Sequence, residues 1–558
     1  MILAHRGREN ILPRAPCRRD KPFFLLSKMN TARRKRVLYL SVGAAAAVLL
    51  VWAAHYRVAS AVPRYEKQLR AEGEKLSVED LWPPAVLPRS NGAPLFSQTM
   101  PAWRWGTNLL DKNAPSAMRM VAPGKAAVAS AQPDVRSEHT NSWDEVEAAL
   151  GPYREDLDLV RAAAQYPVWD FNLDYHQGFV LLLPHLAPIK RSVQYLTTEE
   201  LCELRRGEVA AATTNVEAML GAVKATAGEP LVISQLVRIS IAQLSMGATW
   251  ELLQAPNVTD EQLAALQRDW LSVHFAQPAQ SALAMERALN QMTIEQMRKS
   301  DAQFRKALSI GRGGSPTSIE DILRAIGIYA QEARWRYGLS YPDQLRMLKG
   351  HQVLLDIFHE VGAGQPFAPA LQRQAVRLAA MGLPPTNSDS GPIAGWPGDD
   401  WRALFSSQVV SLTHLINRVL VAEAARELTV TALALKRYQL THGQYPAELS
   451  TLVPQFLSTV PQDPADGKSL RYHLNPDGTF LLYSVGEDGI DNGGDTTPPK
   501  ESTAQLDPKL IRSRAQERVS WPQKARDLVW PLPASSEEID AYHQRNEAEP
   551  QRATNAAH

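Results

Sequence analysis

LRYHLNPDGTFLLYSVGEDGIDNGGD, residues 470–495, decides the fold of the C-terminal third of this 558-residue chain. Leu470, Tyr472 and Leu474 alternate on one strand, and Phe480, Leu482 and Ser484 alternate on the next. Between them Asn475-Pro476-Asp477-Gly478 is a turn, because proline presets φ and glycine accepts φ > 0. The reading is a β-hairpin. The ten residues after Val485 then hold three Asp, one Glu and four Gly. Acids crowded on a glycine-rich loop repel one another unless positive charge or amide donors lie among them.

Working back from the hairpin, Asp463-Pro464-Ala465-Asp466-Gly467 is a turn, and Tyr445-Pro446 opens a short helix, AELSTLV. A long helical pattern at about 401–442 precedes it and ends at Gly443, which tolerates the left-handed backbone of a C-cap. Residues 381–400 are a Pro/Gly/Ser linker. From about 141 to 380 the pattern is repeated amphipathic helix, expected as a body of stacked helical hairpins. Thr197 with Glu200, and Thr259 with Gln262, have capping-box spacing. Pro230 suits the first turn of an apolar helix over 231–253, which carries Arg238 and Glu251. Cys202 and the tryptophans at 250, 270 and 335 read as core. The fold class is therefore mainly α, with an N-terminal transmembrane helix and a small C-terminal α/β module.

The net charge of +1 hides an asymmetry. Residues 1–36 carry 11 Lys/Arg and two acids; the remaining 49 basic and 57 acidic residues leave the body mildly acidic. That balance does not suggest nucleic-acid binding, for which a basic patch on a folded domain is the expected footprint. VLYLSVGAAAAVLLVWAA, residues 37–54, contains no charged residue. As a helix its 18 residues would span about 27 Å, close to the roughly 30 Å hydrocarbon core. Arg33-Arg34-Lys35-Arg36 directly precede it, so the expectation is an uncleaved signal-anchor crossing the lipid bilayer over 37–56. It places the N-terminus in the cytoplasm and the bulk of the chain in the periplasm, held at the cytoplasmic (inner) membrane. A signal peptide cleaved near Ala59-Ser60-Ala61 is the competing reading. Met29 opens a short conventional start, MNTARRKR, which makes 1–28 a candidate untranslated extension. Residues 57–83 read as helix and 84–140 as an irregular connector packed through Trp103 and Trp105. Residues 498–558 read as a largely disordered tail that docks through Leu528-Val529-Trp530.

The segment from about 430 to 497 resembles the globular half of type II secretion major pseudopilins. The shared features are Tyr438 at the helix end, Tyr445-Pro446, Leu449, Leu452, the Asp463-Pro464 turn, and Ser484-x-Gly486-x-Asp488-Gly489 with Asp495 beyond. The resemblance implies a structural calcium loop. Asp488 and Asp495 fall on the family's acidic ligand positions, and Leu481 and Ser484 lie near its backbone or hydroxyl contacts. The next family acid is Thr496 here, with Asp491 the candidate substitute. The overall layout resembles large single-pass envelope proteins of planctomycete and verrucomicrobial type. Calcium takes six to eight oxygen ligands in flexible geometry, and glycine lets carbonyls turn inward. The loop is not an EF-hand, since Ile490 and Pro499 fall where ligands are required. The competing reading is a solvated acidic turn with Asx-type hydrogen bonds.

No catalytic signature emerges. His359-Glu360 lacks the second histidine of a zinc-protease helix, with His351 eight residues away. Gly311-Arg312-Gly313-Gly314 lacks a P-loop lysine, and His442 suits a helix C-terminus. The expected function is a membrane-anchored extracytoplasmic scaffold or interaction protein, with other envelope proteins as partners. The alternatives are an accessory component of a type II secretion or pilus-like system, and an envelope hydrolase whose site the fold assembles.

Overall fold

Helix α15 (Thr413–His442) is the element around which the fold is built. From Ala422 to Leu435 every residue except Glu427 is buried, the pattern of a helix enclosed on all sides. It packs on α8 (Val232–Gln254), α9 (Asp260–Leu271), α10 (Ala276–Lys299) and the hairpin. The computed structural model describes residues 31–104, 115–136, 140–307, 327, 329–330, 332–383, 404–497, 521 and 526–555. It is mainly helical, with small sheets. Residues 1–30, Trp105, the Gly311–Gly314 loop and most of the 381–400 linker lie outside the described residues.

The chain divides into two units, 1–63 and 64–558. In the first, α1 (Thr31–Ala59) is one continuous helix of 29 residues. Among the described residues no helix is long and apolar enough to cross a membrane; several side chains of 37–54 lie outside that description. Helix α2 (Ala61–Ala71) straddles the division and ends earlier than the expected helix over 57–83.

In the second unit, α3 (Ala93–Arg104) replaces part of the expected irregular connector. Phe96, Thr99 and Trp103 are buried at helical spacing. Phe96 stacks on Trp169 with ring centroids 4.7 Å apart, and Trp103 Nε1 donates to Thr99 Oγ1 at 3.0 Å. The Pro- and Ser-rich composition hides that spacing. Strands β1 (Arg119–Ala122) and β2 (Lys125–Ala127) pair antiparallel, and β3 (Val135–Arg136) pairs with β4 (Thr140–Asn141). Helices α4 (Trp143–Leu150) and α5 (Arg154–Ala164) follow.

Helices α6 (Leu186–Arg206) and α7 (Val209–Ala225) follow, separated at Gly207 with φ 78°. The Thr197 capping box does not form. Thr197 lies inside α6 and its hydroxyl donates to the Val193 carbonyl at 3.0 Å. The Thr259 box does form: Gln262 N donates to Thr259 Oγ1 at 3.3 Å and Thr259 N to Gln262 Oε1 at 2.9 Å. Helices α6, α7 and α8 pack mutually. Beyond α11 (Asp301–Ala307), α12 (Ser340–Gly362) packs on α10 and α13 (Phe367–Ala380), and short α14 (Gln408–Ser411) leads into α15. Trp250, Trp270, Trp335 and Cys202 are core, and burial pushes the Cys202 thiol up to about 12.

Gly443 caps α15 with φ 77°, and Leu449–Leu452 form a 3-10 turn. Strands β5 (Arg471–Leu474) and β6 (Phe480–Ser484) pair as the alternation requires, Tyr472 opposite Leu482 and Leu474 opposite Phe480. Within the tail expected to dock through Leu528-Val529-Trp530, the described residues 526–555 pack these three side chains on the body. Strand β7 (Leu528–Val529) extends the hairpin, with Val529 opposite Tyr483, and β8 (Leu532–Pro533) runs parallel to β2. Trp530 is buried against Trp521, and Trp250 Nε1 donates to the Pro531 carbonyl at 2.9 Å. Burying those apolar side chains offsets the entropy of ordering the segment, which charge-rich composition alone argues against. Helix α16 (Ser536–Asn555) closes the described chain.

The α5–α7 crossing depends on a missing side chain. A Cβ on Gly221 would lie 2.4 Å from the Ala164 carbonyl oxygen and 2.8 Å from its Cβ. Gly221→Ala is expected to lower unfolding free energy by about 1–3 kcal/mol, measured by denaturant unfolding. Unchanged stability would mean the helices separate freely.

Candidate functional site

The C-terminal loop is built on the hairpin's return strand. Ser484 and Val485 leave β6 buried, and both turn toward Asp463. Ser484 Oγ donates to Asp463 Oδ1 at 2.8 Å, and the Val485 amide donates to Oδ2 at 2.8 Å. The Ala465 amide donates to Oδ1 at 2.9 Å, and Arg471 Nη1 lies 3.3 Å from Oδ2. Burial raises the Asp463 pKa against these stabilising bonds.

The acids named from the sequence are brought to one loop but not to one point. Asp488 Oδ1 accepts the Ile490 amide at 2.9 Å, an Asx turn. Asp491 accepts the Tyr483 hydroxyl at 2.9 Å and the Gly493 amide at 3.0 Å, and lies 3.1 Å from Arg471 Nε. The amide bond leads the causes that hold its carboxyl below the usual range. Asp495 Oδ1 accepts the Thr497 hydroxyl and amide, which keep its pKa low, and Oδ2 faces Arg526 Nη1 at 3.5 Å. Leu481 takes its place in β6 opposite His473. Among the described residues no group of three or more His, Cys, Asp or Glu could hold a metal ion.

Two residues that the sequence reading passed over organise the loop: Arg471, which pairs Asp466 at 2.6 Å as well as Asp463 and Asp491, and Asp527. Asp527 is fully buried. Its carboxylate accepts the amides of Gly494 at 2.8 Å, Asn492 at 3.1 Å and Asp495 at 3.2 Å. The chain around Gly494 has φ 82°, a conformation that favours glycine. A calcium site needs oxygen atoms facing inward; around Asp527 backbone N–H groups converge instead. The only signal in the sequence was an acid placed directly before an apolar patch.

Elsewhere the histidines singled out are dispersed, His185 and His351 buried, His359 and His442 exposed. His185 Nε2 lies 2.9 Å from Glu229 Oε2, and the same carboxylate group accepts the Ser234 hydroxyl. The adjoining cavity, also lined by Arg238 and Ile241, has a volume of about 10 Å³, room for about one water. Glu229 stands between imidazole and hydroxyl, so this is not a nucleophile–base pair. His351 is buried with Nδ1 3.0 Å from the Met347 carbonyl, and burial drives its pKa down to about 4. His359 lies on the same helix with Nε2 3.6 Å from Glu74; eight residues of helix separate the two by about 12 Å. His442 Nδ1 lies 3.0 Å from the Tyr438 carbonyl at the C-terminus of α15. Comparison with family models, curated proteins and solved structures finds no match.

A cluster of buried glutamates titrates abnormally. Glu200 and Glu203 on α6 and Glu251 on α8 are buried. Among the described residues Glu200 has no hydrogen-bond partner on either oxygen. Burial, then repulsion from Glu251 and Glu203, holds its pKa well above the ordinary range. Burial likewise pushes Glu203 and Glu251 up to about 7. An acid with a raised folded pKa holds its proton more tightly when folded. Its stabilising contribution is complete at low pH and is lost as pH rises through the interval between the ordinary value of 4.5 and about 7. Stability is therefore expected to fall between about pH 5 and pH 7, by at most about 1.4 kcal/mol per pH unit for each group. Glu203→Gln should flatten that slope in denaturant unfolding at stepped pH. Identical slopes would contradict the buried-acid assignment.

Proposed function

We propose that the chain is a single-pass, N-terminally anchored envelope protein whose extracytoplasmic body is a scaffold or interaction platform. The observation that carries this reading is α1. Its 29 residues extend about 44 Å and contain the uncharged run 37–54, preceded by Arg33–Arg36. Leu38, Tyr39, Leu40, Val42 and Leu49 are exposed on it, an arrangement costly in water and favourable in lipid. The basic flank orients residues 57–558 outward.

Support for an interaction role comes from an apolar projection on the second unit. Gly178, with φ 62° and ψ −141°, kinks the chain beside Met292. Phe179, Val180 and Leu182 then stand out, Leu182 being 80% exposed. Trp82 is also exposed, its ring 5.1 Å from that of Tyr175. Contiguous exposed apolar groups of this kind mark contact surfaces.

The full chain is expected to stay with membranes through alkaline carbonate extraction and to be cut in spheroplasts by external protease. Deletion of 31–59 should release it. A photocrosslinker at Leu182 should capture an envelope protein in cells. Extraction of the intact chain by carbonate would defeat the anchor, and an uncrosslinked Leu182 probe the platform.

A further inference from the structure

We infer that the loop over 486–497 is closed by the chain's own Asp527 carboxylate and works without calcium. The inference is independent of the membrane reading. Three backbone N–H groups, those of Asn492, Gly494 and Asp495, point at Asp527. Successive amides turned inward make an anion-binding concavity; their positive ends would repel a cation placed there. The occupant is the Asp527 side chain.

The placement of Asp527 is fixed by the sheet. Pairing of Ser484 with Leu528 across β6 and β7 sets the preceding residue against the loop. Contacts run in both directions: the Asp527 amide donates to the Asp495 carbonyl at 3.0 Å, and the Arg526 amide to the Thr497 carbonyl at 3.3 Å. The acids that would have held calcium are otherwise engaged. Asp491 is neutralised by Arg471, Asp495 faces Arg526, and Asp488 closes its own turn. The same device recurs in the body: Glu251 accepts the amides of Met118 and Ala129 at 3.0 and 2.9 Å, and Asp343 those of Phe405 and Ser406, both at 3.0 Å. The C-terminal segment thus does internally what a bound ion would do, locking the loop to β6.

The test is thermal unfolding of the full chain in detergent, in excess EGTA and in millimolar Ca²⁺ with Mg²⁺ as control, together with equilibrium dialysis against calcium. A site with Kd of about 10⁻⁴ M would be about nine-tenths filled at that concentration. The expected result is a Tm independent of calcium and no bound calcium. Asp527→Asn should lower Tm by about 1–3 °C, and Asp488→Asn/Asp495→Asn should leave the calcium response flat. A calcium-specific rise in Tm that disappears in the Asp488/Asp495 variant would overturn the inference. So would an Asp527→Asn chain that unfolds at the unsubstituted Tm. If Asp527→Asn does not fold, the calcium titration of the unsubstituted chain still decides.

Discussion

Buried carboxylates turned toward the backbone amides of loops hold this molecule together. Glu251, Asp343, Glu423, Asp463 and Asp527 each accept at least two main-chain N–H groups. A loop packed into a core leaves amides that must find acceptors. A carboxylate offers several lone pairs, and bonds to an ionised acceptor are stronger than neutral ones. Desolvation opposes the charge, which is why burial raises the pKa of Glu251, Asp343, Asp463 and Asp527.

Each carboxylate joins segments far apart in sequence. Glu251, on α8, binds Met118 and Ala129 and so fixes the β1–β2 ribbon. Glu423, on α15, receives the amides of Phe275 and Ala276 at 2.6 and 3.0 Å and sets the start of α10. Asp343, on α12, holds the approach to α14. Enclosure of α15 then follows, because the loops that surround it are held in place. Strand β7 and β8 complete the arrangement by tying the last segment to both the hairpin and β2.

The hairpin was legible because alternation and an Asn-Pro-Asp-Gly turn are local signals. The Thr259 cap and the Gly443 stop were legible for the same reason. Thr197 has the same spacing as Thr259, but tertiary packing carried the helix back to Leu186 and the hydroxyl found an i−4 carbonyl instead. Helix α3 was hidden because its composition resembles linker and long-range burial decides its conformation; the apolar patch at Leu528-Val529-Trp530 was visible, but not its pairing as a strand. The amide-binding acids could not be singled out at all. In sequence Asp527 and Asp343 look like any surface acid; their role exists only after distant loops have been brought to them. Asp488, Asp491 and Asp495 were conspicuous by crowding, yet their charge is met locally by turns and arginines.

The most direct measurement is hydrogen exchange by mass spectrometry on the full chain and on Asp343→Asn, following peptides that cover 404–407, 116–131 and 492–496. If buried carboxylates hold individual loops, exchange should accelerate by about tenfold or more at 404–407, as loss of about 1.4 kcal/mol of local protection requires, and remain unchanged in the other two peptides. Equal exchange in both proteins at 404–407, or acceleration in all three peptides together, would contradict the account.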